Sequence, residues 1–374
     1  MSAYDLVIRH GTVIDPSAGL HGRRDVAIAG GRIAAVAEPG TLEAARSLDA
    51  SGRLVTPGLI DLHAHVFDRG SRFGVPADAC CLRRGTTTAV DAGSAGAITW
   101  GLLADELDRQ ATRVFALLHI SMIGMPADGE LLDGDWPDVS RAVETIAAHR
   151  DRLIGVKVRL SPRVVGANLQ RAFERALEAA QRAGVPLMVH PNAAAMPMEA
   201  ILERLRPGDI VTHCFNPSPQ SVVDGCGTVH REAFEARRRG VLFDVGHGAG
   251  SFSFERAERA LAQGFAPDVI SSDLNSLCVD GPAWDLPCTM SKFLLLGLAL
   301  DDVVARATAR PGALLPVEGL GTLRPGAPAD VVLLERRQGR FEFIDGARQR
   351  RTGGERLVAT AVVRDGHVVD GVGA

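Results

Sequence analysis

Eight short apolar runs, at residues 59–65, 86–94, 113–121, 153–161, 186–191, 209–215, 241–248 and 269–275, limit what this chain can fold into. They are close to continuously apolar, the pattern of strands covered on both faces. Between several of them lie alanine-rich segments such as Leu169 to Ala183 and Phe254 to Gln263, with apolar residues recurring at i, i+3 and i+4 along one helical face. Such alternation builds a parallel sheet. Eight units in about 265 residues match the size of a (β/α)8 barrel, whose active site lies at the C-terminal ends of the strands. An open doubly wound sheet also fits the alternation, but the strand count favours closure.

The ends of the chain have another texture. Short strand patterns such as Asp5-Leu6-Val7-Ile8 and Arg32-Ile33-Ala34-Ala35-Val36 are separated by turn residues Gly11, Gly30-Gly31 and Pro39-Gly40. Similar runs return at Asp330 to Leu334 and Ala361 to Val369. The expected fold class is α/β, a TIM barrel over residues 57–321 with a small discontinuous β domain from residues 1–56 and 322–374.

Among thirty-nine arginines the chain holds two lysines, Lys157 and Lys292. Lys157 stands in the middle of the run Leu153 to Ser161. A buried ammonium is costly unless paired, and lysine sheds its proton where arginine does not. A neutral buried amine can react with carbon dioxide, giving a carbamate that could bridge two cations. Residues of the metal-binding kind close other runs: His63 and His65, which share one strand face, then His190, His213 and Asp273. Arg159 shares the face of Lys157 and could clamp a substrate anion or form an internal ion pair. His247 could reach a substrate, and Asn192 could touch a ligand or cap a helix. His119 reads as a residue that backs the metal ligands or packs. Lys292 falls on an expected helix, either facing substrate or on its surface.

Composition narrows the function classes. A net charge of -4 without long like-charge blocks excludes an electrostatic footprint for nucleic acid or anionic membrane. Neither a secretory signal pattern nor an apolar stretch long enough to span a bilayer is visible, so the expectation is a cytoplasmic protein. Six cysteines without a C-x-x-C pair read as reduced thiols. A small-molecule substrate fits, and a homo-oligomer is left open.

The pattern H-x-H on strand 1, lysine on strand 4, histidines on strands 5 and 6 and aspartate on strand 8 resembles the amidohydrolase superfamily in its binuclear form. All six positions are met, at His63, His65, Lys157, His190, His213 and Asp273. The resemblance covers the whole chain, including the terminal β-sandwich and the entry Val55-Thr56-Pro57-Gly58-Leu59-Ile60-Asp61. It implies two divalent ions, zinc in the family's usual form, bridged by N6-carboxylated Lys157. One ion would take His63, His65 and Asp273, the other His190 and His213. It further implies a metal-bridging hydroxide, with Asp273 and Lys157 catalytic and Asp273 passing the proton. The stretches 212–217, 243–254 and 285–294 resemble the dihydroorotase-like deacetylases. That branch implies removal of an acyl group, acetyl above all, from a small carboxylate-bearing ester or amide of the acetyl-mandelate sort. A cyclic-amide hydrolase of the dihydroorotase or hydantoinase type is the alternative. Position 67 is Phe where a dihydroorotase carries its substrate-binding arginine, which argues against that activity. A non-catalytic scaffold is the remaining reading, disfavoured by the complete ligand set.

Overall fold

The computed structural model describes residues 4–192 and 196–372. The chain opens with β1 (Leu6–Asp15), β2 (Leu20–Ala29), β3 (Arg32–Ala37), β4 (Ser47–Asp49) and β5 (Leu54–Pro57). Then come β6 (Leu59–Ala64), β7 (Thr86–Gly96), β8 (Arg113–His119), β9 (Leu153–Arg159), β10 (Leu187–His190), β11 (Ile210–Val211) and β12 (Leu242–Phe243). The last strands are β13 (Val331–Ile344), β14 (Arg350–Arg364) and β15 (His367–Val368).

The terminal strands form one eight-stranded mixed sheet, ordered β15-β14-β13-β5-β1-β2-β3, with β4 also paired to β1. β5 is the seam. It runs parallel to β1, with Val55 opposite Val13, and antiparallel to β13, with Val55 opposite Leu333. Side chains that alternate along these strands, among them Ile8, Val13, Val26, Ile28, Val331 and Leu333, fill one apolar cluster.

β6 to β12 form a second sheet in chain order, every neighbour parallel. Alternation splits its side chains into two layers. Leu62, Val90, Leu117, Met188 and Ile210 pack inside the curl, while Val156, Val158, Val189 and Val211 pack outward with helix residues such as Phe173 and Ala176. The helix Leu169–Ala183 buries Ala172, Phe173, Ala176, Ala179, Ala180 and Ala183, one face of small side chains that lets it lie close to the strands. Gly184 ends it at φ 65°, its amide meeting the carbonyls of Ala180 and Gln181.

The eighth run behaves differently from the other seven. Residues 269–275 form no ladder strand and close the curl through the bridges Asp244–Val269 and Ala64–Leu274. Bonds from Val245 N to Val269 O and from His65 N to Leu274 O, 3.1 and 2.8 Å, complete the closure. The reason is local. The Asp61 carboxylate takes the Ser272 amide at 3.0 Å, and Asp273 turns to φ 45°, so the backbone leaves the extended conformation a ladder needs. Among the described residues no helix is long and apolar enough to cross a membrane.

Candidate metal centre

Strand alternation and two strained turns aim the nominated side chains at one point. His213 and Asp273 both have left-handed backbone, φ 58° and 45°, a conformation non-glycine residues adopt at a cost and often where a side chain must be aimed. The donor atoms of His63, His213 and Asp273 lie within 4.8 Å of one another. Asp273 Oδ1 sits 3.3 Å from His63 Nε2 and 3.2 Å from His65 Nε2. His190 Nδ1 is 3.0 Å from His213 Nε2. Lys157 Nζ lies 3.2 Å from His63 Nε2 and 3.4 Å from the Met188 sulfur. All six predicted ligand residues therefore meet at the C-terminal end of the barrel.

The outer ring atoms explain why the inner ones are free. His63 Nδ1 donates to Thr212 Oγ1 at 2.8 Å, and that hydroxyl donates to Asp244 Oδ2 at 2.7 Å. His65 Nδ1 meets Ser94 Oγ at 2.9 Å. His213 Nδ1 donates to the Gly246 carbonyl at 2.6 Å, which can only accept, so the Nε2 lone pair faces inward. Such partners fix the tautomer and orientation of metal-binding imidazoles. The group fits the centre a cation pair needs: inward lone pairs, one carboxylate and one amine, all buried.

Charge supports the same fit. Burial holds the His63 and His190 imidazoles well below their usual range, and repulsion from the Lys157 ammonium and between the rings whenever one takes a proton adds to it. It brings His213 to about 4 against the pull of Asp273. Neutral rings are the ligating form. Burial pushes the Lys157 ammonium down to about 8, although Asp273 and Asp244 favour its charge. Asp273 stays below the usual carboxylate range. Burial works to raise it, and the His65 hydrogen bond together with the electrostatic pull of the His213 ring outweighs that.

Of the other predicted site residues, Asn192 and Arg159 line the same cavity of about 290 Å3. Arg159 is already paired, its Nε and Nη2 reaching the buried Glu130 carboxylate at 2.6 and 2.9 Å. His247 corrects the expectation of a substrate contact. It is fully buried, its ring stacked on Phe252 and bonded to Lys292 Nζ at 2.6 Å, because the tight Gly246-His247-Gly248 turn points it behind the site. Lys292 is neither substrate-facing nor on the surface. Its ammonium is buried and donates also to the carbonyls of Pro282 and Ile344, both at 2.8 Å. His119 is buried, its Nδ1 accepting from Ser121 N at 3.0 Å.

Sequence reasoning missed Asp61 and Asp244. Asp61, two residues before His63 on the same face, accepts from His63 N and from Ser272, and burial raises it to about 7. Asp244 backs the His63 ring and is raised by burial to about 6. The i, i+2 spacing of Asp61, His63 and His65 was the available signal. Nothing local marked Asp244.

No family model matches the chain. A deacetylase of Agrobacterium fabrum is 34% identical over 317 residues, 83% of this chain and 78% of that one. The crystal structure of an adenine deaminase superposes with a TM-score of 0.92 at 30% identity, covering 98% of this chain and 100% of the other. The crystal structure of a dihydroorotase gives 0.89 at 29%, covering 98% of each. This chain belongs to the amidohydrolase superfamily. As an amidohydrolase it is a metal-dependent hydrolase of the dihydroorotase-like deacetylase branch, with the (β/α)8 barrel and terminal β module of its relatives. The neighbours differ in the reactions their names carry, so the shared fold does not choose among substrates.

Proposed function

We propose that this amidohydrolase removes an acetyl group from a small carboxylate-bearing ester or amide, using two divalent cations, in the first instance zinc. His63, His65 and Asp273 would hold one cation and His190 and His213 the other, with Lys157 carboxylated between them. The observation that carries the reading is the meeting of Lys157 Nζ with the His63 ring at 3.2 Å in a centre otherwise rich in neutral imidazoles. The deacetylase relative, similar over most of both chains, supports the acyl group.

When bound, such a pair of cations lowers the pKa of a water held at the site and polarises a carbonyl. The residues supply the rest. Asp273, kept ionised, accepts the water proton on a carboxylate oxygen and returns it to the leaving oxygen or nitrogen, base first and acid second. A C–O bond to the water oxygen forms, the acyl C–O or C–N bond breaks, and acetate and an alcohol or amine leave. Asn275 steadies Asp273 by donating to its backbone carbonyl at 2.7 Å. Thr212, Ser94 and Gly246 keep the imidazoles turned inward. Arg159 and Asn192 contribute polar groups to the wall the substrate faces.

The test is turnover by zinc-loaded enzyme of acetylated 2-hydroxy and 2-amino acids, both enantiomers, beside dihydroorotate, a hydantoin and adenine. Cleavage of acetylated acids with about two metal equivalents per chain is the expected result. Ring opening or deamination with inert acetyl compounds would overturn the acetyl reading and leave the superfamily chemistry intact.

A further inference from the structure

Arg159 and Arg163, which line the cavity, and Arg72 beside them converge on one carboxylate at its rim. Asp128 Oδ2 lies 3.1 Å from Arg72 Nη1 and 3.9 Å from Arg163 Nη1, and Asp128 Oδ1 lies 3.3 Å from Arg159 Nη2. They are not equally committed. Arg159 is locked by the buried Glu130, and its side chain is 10% exposed. Arg163 is 73% exposed, touches Asp128 only at the limit of an ion pair, and lines the cavity. Phe73 lies between two of them, with Arg72 5.1 Å and Arg159 5.2 Å from its ring centre.

Charge counting shows what this arrangement lacks. Against three guanidinium groups stand two carboxylates, Asp128 and Glu130, and Glu130 is consumed by Arg159. Among the described residues lining the cavity, Asp273 is the only acid, and it faces the metal ligands. One positive charge is left over at the rim, and the carboxylate between the arginines is itself partly exposed, at 25%. Exposed ion pairs of this kind hold weakly. A planar guanidinium can exchange one carboxylate for another and accept the second in a bidentate fork.

We propose that the cavity mouth selects anionic substrates by exchange: Asp128 holds Arg163 and Arg72 in place when no substrate is bound and yields Arg163 to the carboxylate that enters. The idea rests on the reading of the substrate as a small carboxylate-bearing acyl compound, and it names the residue that reads the carboxylate. Arg159 is then a fixed background charge, and Asp128 a competitor of the substrate. The preference should weaken as salt rises, because the exchanging groups are exposed.

The experiment compares N-acetylalanine with its uncharged carboxamide, by KM and by calorimetric binding to the zinc-loaded enzyme, in the wild type, Asp128→Asn and Arg163→Gln. The carboxylate-to-amide preference should rise about threefold in Asp128→Asn, as expected for removal of a weak exposed competitor. It should fall about tenfold in Arg163→Gln, as a charge-assisted hydrogen bond is lost. Asp128→Ala gives the same direction without the isosteric amide. An unchanged preference in both variants, or no difference between the two ligands in the wild type, overturns the selector. Lack of turnover of either ligand, with binding preference intact, would instead count against the acetyl reading.

Discussion

Lys157 and Lys292 make a natural pair: the same residue type, both buried, both driven by burial to about 8, in a chain that elsewhere uses arginine. Their partners differ. Lys292, on the helix Leu286–Leu295, places its three protons on His247, Pro282 O and Ile344 O at 2.6 to 2.8 Å, the full donor capacity of an ammonium. It ties the barrel to the terminal sheet. Lys157 finds one imidazole nitrogen at 3.2 Å and a thioether, a poor acceptor, at 3.4 Å. Burial alone therefore does not mark a reactive lysine. An amine whose hydrogen bonds are satisfied is a tether, and one left short of acceptors beside ligating groups is available for chemistry.

The largest effect that would break this contrast is at Lys157. Lys157→Ala should lower kcat/KM more than about a hundredfold, beyond the roughly 10–100-fold typical of changes around a metal's ligands. Short carboxylic acids in the buffer should restore part of it, since they replace the proposed carboxylate. Lys157→Arg should show no such rescue, and an arginine variant of near-normal activity would sink the special role of the amine. Next in size, Thr212→Val frees the His63 ring and should weaken zinc binding by about tenfold or more, read by competition with a chromophoric chelator.

At Lys292 the prediction changes in kind. Lys292→Met takes the lysine donor from the buried Pro282 carbonyl and the part-buried Ile344 carbonyl and should lower unfolding stability by about 2–4 kcal/mol in urea titrations, while zinc stoichiometry stays at the wild-type level. Metal loss without destabilisation would erase the distinction between tether and reactive amine. The smallest effect is pH-linked. The unfolded chain keeps the Lys292 proton to about 10.5 and the folded chain to about 8, so the unfolded state binds more protons in that window. Stability of the wild type relative to Lys292→Met should therefore rise as the pH goes from 8 to 10.5 and fall again on acidification. Melting curves across that range would show it.

Much of the barrel was legible because its signals are local. The runs at 59–65, 86–94, 113–121 and 153–161 became strands over nearly their whole length, and every ligand residue except the mid-strand Lys157 lay near the end of its run. The run at 269–275 was legible in place but not in form. Its apolar start resembles a strand, yet the Asp61 side chain and the turn at Asp273 replace the ladder there. Arg159 could be placed on the inner face, but its pairing with Glu130 could not, because the two are 29 residues apart in sequence. His247 and Lys292 escaped for the same reason. They are 45 residues apart, on a loop and a helix that only packing brings together.

By itself the sequence determined the periodicities, the strand ends and the choice of a lone amine among arginines, since each depends on neighbouring residues and on side-chain chemistry. The tertiary structure decided which polar groups are satisfied: Lys292 fully, Lys157 barely, Arg159 by Glu130, the other two rim arginines only by the partly exposed Asp128. The hydrogen bonds and ion pairs that set these roles join segments tens of residues apart, and a one-dimensional pattern carries no record of which distant partner closes the gap.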